Sequence, residues 1–316
     1  MKPILAAFVT ILSALLCGPA RADLVVSHFP SFAGIACDSS ELTCNGSAAI
    51  ANTSDGTVLR LTPAQFNESG SAFSTSQINL GSGNSFSTFF QFRITNPAGI
   101  DPADGITFTL QTVSNTAGGI GGGIGYSGLS PSVAVEFDTF NNGGCDASSS
   151  NHVAVDIDGN TCTTNNGDLA VVDGNPICDF SSVNTYTRSG CMSNGDLWSA
   201  WIDYNGSALS VALVDGGVNG TLQRPATNII NAFPIDIASI LGQNSAFVGF
   251  TSGTGAGTEN HDVVNWIFSN TFQPINPGGS SGGSGGTAPE PGTSALLLGA
   301  AVGLLAVRRR SRRAAR

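Results

Sequence analysis

Between residues 85 and 268 the chain sets an apolar side chain at every second position, in one short segment after another. Phe86, Phe90, Phe92 and Ile94 fall on one face with Thr88, while Ile106, Phe108 and Leu110 alternate with Thr107, Thr109 and Gln111. Val133, Val135 and Phe137 repeat the pattern, as do Val153, Val155 and Ile157, then Leu209, Val211 and Leu213, then Val264, Trp266 and Phe268. Successive side chains of a strand point to opposite faces, so each run predicts a strand with one buried side. Clusters of Gly, Asn, Ser and Asp between the runs supply turns. No stretch offers an amphipathic helix of three turns, and no repeat suggests a propeller or solenoid. Many one-sided strands need a second apolar sheet over them, which predicts an all-β sandwich.

Charge narrows the range of partners. The 316 residues carry 12 Lys+Arg and 22 Asp+Glu, but Lys2, Arg21, Arg308, Arg309, Arg310, Arg312, Arg313 and Arg316 all lie at the two ends. Setting these and Glu290 aside leaves Arg60, Arg93, Arg188 and Arg224 against 21 acids, a net charge of −17 without a lysine. Such a surface repels phosphate backbones and anionic lipid heads, and nucleic acid is excluded as a partner.

Both ends read as targeting segments. Residues 1–22 form an expected secretory signal peptide: Lys2 opens it, residues 4–16 are apolar, and Ala20-Arg21-Ala22 is a small-x-small cleavage site before Asp23. At the far end, Pro289-Glu290-Pro291 precedes an apolar run over 295–307 and an arginine-rich tail. That run is shorter than the roughly 20 residues of a bilayer-spanning helix. It predicts a marginal, transient transmembrane anchor held by positive charges on its cytoplasmic side. Triplet, apolar run and basic tail in this order resemble the bacterial PEP-CTERM sorting signal. The resemblance implies a Gram-negative bacterium, cleavage by an exosortase-type sorting enzyme, and delivery to the cell envelope or extracellular matrix. A Gly/Ser-rich linker over 273–288 separates this segment, 289–316, from the body, 23–272.

Six cysteines remain in the body: Cys37, Cys44, Cys145, Cys162, Cys178 and Cys191. An even count in an exported chain points to disulfides, and the Cys-x-x-Cys spacing of a zinc site is absent. Fifteen pairings are open, of which the sequence-local set, Cys37–Cys44, Cys145–Cys162 and Cys178–Cys191, is expected.

One segment carries chemistry. From Val133 the chain reads V-A-V-E-F-D-T-F-N-N-G-G-C-D-A-S-S-S-N-H-V-A-V-D-I. Glu136, Asp138 and Phe140 are two apart and project from one strand face. Two adjacent carboxylates repel each other unless a cation lies between them. Asn142 and Asp146 follow in a Gly-containing loop, and His152 opens the next strand. Carboxylate, amide and carbonyl oxygens are the ligands Ca²⁺ takes, and an imidazole among carboxylates suits a transition ion such as Mn²⁺ or Zn²⁺. A lone acid in so acidic a chain is usually a solvated one. These acids are flanked by strongly apolar positions and converge with Asn142 and His152, which reads as a metal site.

The same segment resembles the metal-binding signature of the L-type, or legume-like, lectins. S-F-S-T-F-F-Q-F-R-I from Ser85, A-D-G-I-T-F from Ala103 and G-G-G-I-G-Y from Gly121 precede it in that family's order. W-S-A-W-I-D-Y from Trp198, V-G-F-T-S from Val248 and H-D-V-V-N-W from His261 follow it. The likeness spans nearly all of residues 24–270 and implies a jelly-roll β-sandwich of the legume-lectin (concanavalin-like) type. It implies that Glu136, Asp138, Asp146 and His152 ligate the transition ion, and that Asp138, the Phe140 carbonyl, Asn142 and Asp146 ligate Ca²⁺. It further implies that Asp104, preceded by a cis peptide, accepts hydrogen bonds from sugar hydroxyls. Asn142 would touch both calcium and sugar, and a backbone N–H at Gly122 or Gly123 would donate to the same sugar. Phe140 or Tyr126 is the aromatic that would stack on the pyranose face, and either reads equally as a core residue. The chain departs from the plant pattern in the Asp146–His152 spacing, one position longer, in Cys145, where an aromatic is common, and in residues 161–197, which read as an insertion.

The expected function is therefore calcium-dependent binding of carbohydrate or exopolysaccharide outside the cell, without catalytic residues. Two alternatives follow from the same residues. A glycoside hydrolase of related jelly-roll fold would use Glu136 and Asp138 as its carboxylate pair, but this chain has Phe140 and Asn141 where such enzymes carry a further Glu. A structural matrix protein would keep the fold and bind no glycan. His28 and His261 read as structural.

Overall fold

The structure, a computed structural model, describes residues 24–113, 115–116, 118–162, 169–181 and 185–278. The signal peptide expected over 1–22, the sorting segment at 289–316 with its apolar run, and most of the 273–288 linker lie outside the described residues. Among the described residues no helix is long and apolar enough to cross a membrane. One compact unit runs to Ile275, and of the unit that follows, 276–316, residues 276–278 are described.

The described chain is almost entirely strand. In order these are β1 (Leu24–His28), β2 (Leu42–Gly46), β3 (Ala49–Thr53), β4 (Gly56–Thr62), β5 (Ser69–Ser74), β6 (Ile78–Asn79), β7 (Phe86–Gly99) and β8 (Gly105–Gln111). There follow β9 (Ser132–Asp138), β10 (His152–Ile157), β11 (Ala170–Val171), β12 (Leu197–Tyr204), β13 (Ala208–Asp215), β14 (Ile230–Pro234), β15 (Ser245–Gly253) and β16 (Gly257–Ser269). A short helix, α1 (Ile237–Leu241), precedes β15.

The strands form two antiparallel sheets. The first runs β14-β13-β12-β7-β16-β4-β3, with β1 also on β16; the second runs β11-β10-β9-β8-β15-β5-β2, with β6 also on β15. The chain crosses between the sheets from β1 to β2, β2 to β3, β4 to β5, β6 to β7, β7 to β8, β11 to β12, β14 to β15 and β15 to β16. This is the all-β, jelly-roll sandwich expected from the sequence.

Alternation explains the packing. Phe86, Phe90, Phe92 and Ile94 of β7 meet Ile106, Phe108 and Leu110 of β8 and Val133, Val135 and Phe137 of β9 in one core. Phe90 lies edge-on to Phe137 at 5.6 Å and to Phe250 at 5.0 Å. Each such ring, fully buried, contributes roughly 1.5–3 kcal/mol over an exposed one. Phe89 points the other way, into an outer cluster with Trp201, Ala212 and Ile267 that Leu222 and Ile275 cover in part.

One alternation is corrected. Val263, not Val264, joins Trp266 and Phe268 in the core, while Val264 packs outside with Val58 and Leu197. The register of β16 against β7 shifts between Val263 and Asn265. One residue of slip moves the following side chains to the opposite face, which a period-two reading cannot anticipate.

The disulfides are Cys37–Cys44, Cys145–Cys162 and Cys178–Cys191, the sequence-local set, and three of them fit an oxidising compartment. The insertion is docked onto the sandwich. Buried Asn151 donates to the carbonyls of Asn175 at 3.1 Å and Gly190 at 2.8 Å and accepts from the Met192 N–H at 3.0 Å. Val172 and Met192 enter the main core. Phe180 donates its N–H to Asp101 at 2.8 Å, so the insertion touches the loop that leads to Asp104.

Candidate metal and ligand site

Half of the site is set by strand register. Across the second sheet, Gly253, Gly105, Asp138 and His152 stand in one row, and Thr251, Thr107, Glu136 and Ala154 in the next. Val135, Phe137, Val153 and Val155 point into the core. Glu136, Asp138 and His152 therefore face outward together.

The other half comes from the β9–β10 loop. A 3₁₀ turn over Gly143–Asp146 brings Asp146 back beside the strand. Asp138 accepts the Phe140 N–H at 2.6 Å, Asp146 accepts the Asn142 N–H, and the Asp146 carbonyl accepts the Ser149 N–H at 2.9 Å. Ligand atoms of Asp138, Asp146 and His152 thereby lie within 4.8 Å of one another. His152 Nε2 is 3.4 Å from Glu136 Oε1. The Cys145–Cys162 disulfide ties this loop to the end of β10, and Thr161 donates to the Gly122 carbonyl at 3.1 Å.

Among the described residues no arginine or lysine answers these acids. Arg60 pairs with Asp262 and Arg93 with Asp55, each at 2.7 Å, and Arg224 pairs with Asp203 at 2.5 Å. Arg188 donates to the Ile177 carbonyl at 3.0 Å. Burial, then Glu136 and Asp146, hold the Asp138 carboxyl well above the ordinary carboxylate range. Asp146 is pushed up to about 6 by burial and Glu136, against the Asn142 N–H and His152. Both oxygens of Glu136 and both ring nitrogens of His152 are buried without a hydrogen-bond partner. Uncompensated charge of this kind costs several kcal/mol, and a divalent cation among such oxygens and an imidazole removes the cost. The donor set fits both ions the sequence pointed to.

Beside the acids lie Asp104, Gly122 and Asn142, the first buried and the last exposed. The Ala103–Asp104 peptide is cis. The Asp104 N–H donates to the Gly253 carbonyl at 3.1 Å, and its carbonyl accepts the Thr139 N–H at 3.0 Å. Its Oδ2 has no partner, and burial, then Glu259 and Asp146, push its pKa up to about 7. Asn142 is exposed and lies against Gly122, where an added Cβ would meet the Asn142 amide nitrogen and oxygen at 2.8 Å. A Cβ on Gly255 would lie 3.6 Å from Asp104 Oδ2 and 3.2 Å from Gly121 Cα. Gly123 donates its own N–H to the Ile120 carbonyl at 3.2 Å. Asp104, Gly122 and Asn142 are thus gathered at one place above the acids, with Phe140 half-buried in the same loop.

Tyr126 is a correction. It is 0% exposed and packs on Phe73, Leu129 and Ala134, with its hydroxyl accepting from Ser132 at 2.8 Å. It is a core residue, which leaves Phe140 as the aromatic of the site. Glu136 is 1% exposed and Asp138 2%, and neither oxygen of Glu136 has a hydrogen-bond partner.

Beneath Asp104 lie Glu259, which the sequence reading did not single out, and His261, which it read as structural or exposed without naming its partners. Glu259, 0% exposed, accepts the Thr139 hydroxyl at 2.8 Å. His261, equally buried, closes a directional ring. The Gly105 N–H donates to His261 Nε2 at 3.2 Å, and His261 Nδ1 lies 2.7 Å from the Thr62 hydroxyl. That hydroxyl lies 2.8 Å from Ser252 Oγ, which donates to the Gly105 carbonyl at 2.8 Å. Since Ser252 gives its proton to Gly105, Thr62 donates to Ser252 and His261 Nδ1–H to Thr62, the tautomer that an accepting Nε2 also requires. The only trace in the sequence is a Glu-x-His pair on one strand face, which alone names no partner.

Fold and site define a jelly-roll β-sandwich with a metal-ready acidic knot beneath Asp104 and Asn142. The chain belongs to the legume lectin domain family, which matches residues 27–282. It is 32% identical over 247 residues to the L-type lectin-domain containing receptor kinase VIII.1 of Arabidopsis thaliana, covering 77% of this chain and 29% of that one. The chain spans about a third or less of the length of such receptor kinases. It is 26% identical over 272 residues to the seed lectin of Styphnolobium japonicum, covering 80% and 81% of the two. Among solved structures, basic winged bean lectin with Tn-antigen matches with a TM-score of 0.56 and 26% identity, over 74% of this chain and 93% of that one. The lectin from Bauhinia forficata in complex with GalNAc matches the fold with a TM-score of 0.57 at 20% identity, over 77% and 96%. The family is one of carbohydrate-binding lectins.

Proposed function

We propose that this protein is a calcium-dependent lectin exported to the bacterial cell envelope or extracellular matrix, where it holds neutral glycans or exopolysaccharide. The observation that carries the reading is the buried set Glu136, Asp138, Asp146 and His152, with no arginine or lysine partner among the described residues, directly under Asp104 and Asn142. Glu136, Asp138, Asp146 and His152 would hold a transition ion such as Mn²⁺. Asp138, the Phe140 carbonyl, Asn142 and Asp146 would hold Ca²⁺. The ions supply fixed positive charge that offsets the buried carboxylates. Asn142 would then stay against Gly122 and Asp104 would be held with an unpartnered oxygen beside Gly255, so that donors and acceptors for sugar hydroxyls are in place before the ligand arrives. Gly122 is favoured over Gly123 as the backbone donor, because Gly123 already donates to Ile120. Phe140 offers its face to the sugar ring. Export is supported by residues 1–22 and three disulfides, and envelope sorting by the Pro-Glu-Pro segment at 289–316, which an exosortase-type enzyme would process.

A glycan array with calcium and manganese, repeated in chelator, tests the function. Tn-antigen comes first, after the winged bean lectin. Retention that disappears in chelator and returns with calcium supports the reading. Equal retention in both conditions removes calcium from it, and no retention of any glycan leaves a matrix protein.

A further inference from the structure

The loop that carries Asp104 is pinned by backbone bonds at its two ends. Ile100 donates its N–H to the Ala256 carbonyl at 3.1 Å, and Asp104 donates to the Gly253 carbonyl at 3.1 Å. Between them Pro102 brings no N–H, and Asp101 makes the hold with its side chain: Oδ1 accepts the Phe180 N–H at 2.8 Å. A hydrogen bond to a carboxylate is roughly twice as strong as one between neutral groups. The backbone here is close-packed as well, since a Cβ on Gly257 would lie 2.3 Å from the Asp101 carbonyl oxygen and 2.7 Å from Ala103 Cβ.

Phe180 belongs to residues 161–197, which read in the sequence as an insertion, and it is held from the other side by the segment that leads into the metal site. Two residues before it, Cys178 bridges to Cys191 and donates its N–H to Ser150 Oγ at 2.8 Å. Ser150 in turn donates its N–H to the Pro176 carbonyl at 2.8 Å, and the Val172 N–H donates to the Asn151 carbonyl at 3.0 Å. Ser150 and Asn151 are buried, and they are the two residues before His152. The insertion thus runs from the start of the strand that presents His152 to the loop that presents Asp104. Polar groups that address a ligand have to be held to within about 0.5 Å, and neighbours that do not touch the ligand do the holding.

We propose that Asp101 is a positioning residue for glycan binding: by accepting the Phe180 N–H it lets the folded insertion brace the loop of Asp104 from outside the seat. This rests on reading Asp104 and Asn142 as that seat. Losing one charge-assisted bond from such a brace corresponds to roughly a tenfold loss of affinity. Asp101 is not among the groups that would hold an ion, so calcium binding should not depend on it.

The test combines amide hydrogen exchange with binding, on the purified protein in excess calcium and manganese. Asp101→Ala should speed exchange at the Asp104 and Gly105 amides about tenfold, and weaken affinity for Tn-antigen, or for the glycan the array retains best, by about tenfold. Asp101→Asn keeps the acceptor oxygen and should stay near wild type in both readouts. Both variants should retain the calcium-induced rise in melting temperature. Cys178→Ser with Cys191→Ser frees the insertion two residues from Phe180 and should act in the same direction as Asp101→Ala. The triple variant should lose little more than either, since both changes open one brace. Exchange or affinity unchanged in Asp101→Ala, or an affinity loss that Asp101→Asn shares, overturns the brace and leaves the seat standing. So do additive losses in the triple variant, or a calcium response lost together with affinity. Wild type that retains no glycan overturns the seat, and the positioning role with it, whatever the exchange rates show.

Discussion

Asp138 and His152 are directly opposed partners on adjacent strands, β9 and β10, and both face away from the core. Valines and Phe137 on the alternate positions of those strands fix this parity, so neither residue leaves the site without turning core side chains to water. Asp146 arrives by a different route, through a 3₁₀ turn held by backbone hydrogen bonds to its own carboxylate and carbonyl. One half of the metal site thus shares the stability of the sandwich, while the other depends on a loop.

Asp138→Asn should abolish the response to calcium without unfolding the protein. An ion present at a hundredfold excess over its dissociation constant stabilises by about 2.7 kcal/mol. At roughly 2–4 °C per kcal/mol for a domain of this size, wild type should melt about 5–10 °C higher in calcium than in chelator. The variant should show no such difference, and in chelator it should be at least as stable as wild type, since a buried acid has been removed. Calorimetry in both buffers checks this, and a full calcium shift in Asp138→Asn would contradict the ligand assignment.

The metal-free protein should lose stability as pH rises. Asp104 and Asp146 have folded-state pKa values of about 7 and about 6, and Asp138 lies well above its ordinary value, each with burial as the first cause. Carboxyls with raised folded values bind protons more tightly in the folded state than in the unfolded one. Their stabilising contribution is complete below about pH 4 and is lost as pH climbs through 6 to 7. Melting temperature in chelator should therefore fall between pH 4 and pH 7.5, by the equivalent of a few kcal/mol. In saturating calcium the trend should reverse over the same window, because the ion binds the deprotonated groups. A flat profile in chelator would show that these acids are not uncompensated.

The contrast between sheet and loop also explains what the sequence revealed. Period-two alternation located β7, β8, β9, β10 and β13, because a strand's parity is a property of its own residues. It failed at Val264, where the register against β7 slips. Glu136, Asp138, Asp146 and His152 were legible because strand spacing and one short loop bring them together. Glu259 was not, and His261 was legible as structural but not its partners: both lie more than 100 residues from the segment they support, and β16 is buried along both faces, so polarity on it marks no surface. Tyr126 could be read from the sequence as a stacking aromatic or as core, and the chain folds it onto Phe73.

Gly122→Ala should weaken sugar binding while leaving the fold intact. An added Cβ would meet the Asn142 amide at 2.8 Å, the far end of a flexible side chain that moves aside at little cost. Asn142 is exposed, so its displacement leaves no cavity. Stability should change by less than about 1 kcal/mol, and affinity for the glycan identified on the array should fall at least tenfold, as expected when a positioned polar group is lost. An unaltered affinity would show that Asn142 does not need its place against Gly122.

Replacing Cys145 and Cys162 together by serine should loosen the metal loop more than the sandwich. The bridge closes a loop with a sequence separation of 17, for which chain entropy predicts about 3 kcal/mol. Calcium affinity is expected to drop as well, because Asp146 lies next to Cys145 and its turn loses a tether. Isothermal titration should show that drop at a temperature where both proteins are fully folded. Equal calcium affinity would assign the bridge to global stability alone.

His261→Phe should expose the ring beneath Asp104 as a single unit. The substitution leaves the buried Gly105 N–H without an acceptor and removes one bond from the Thr62 hydroxyl, which keeps its bond to Ser252. An unsatisfied buried group costs roughly 1–3 kcal/mol and a lost bond about 1 kcal/mol, so urea unfolding should show a loss of about 2–4 kcal/mol. Thr62→Val opens the same ring at another point and should cost about 1–2 kcal/mol. If the four bonds act together, the double variant will be less destabilised than the sum of the two, because the second change breaks a ring already open. Additive losses would mean independent bonds. The ring also has a functional consequence: it grips both the N–H and the carbonyl of Gly105, the residue after Asp104, and Gly105 itself tolerates no side chain, since a Cβ there would lie 2.2 Å from the Phe137 oxygen. His261 contacts none of Asp138, Asp146 or His152 by hydrogen bond. His261→Phe should therefore keep its calcium-induced rise in melting temperature while losing glycan affinity, a separation that general destabilisation would not produce.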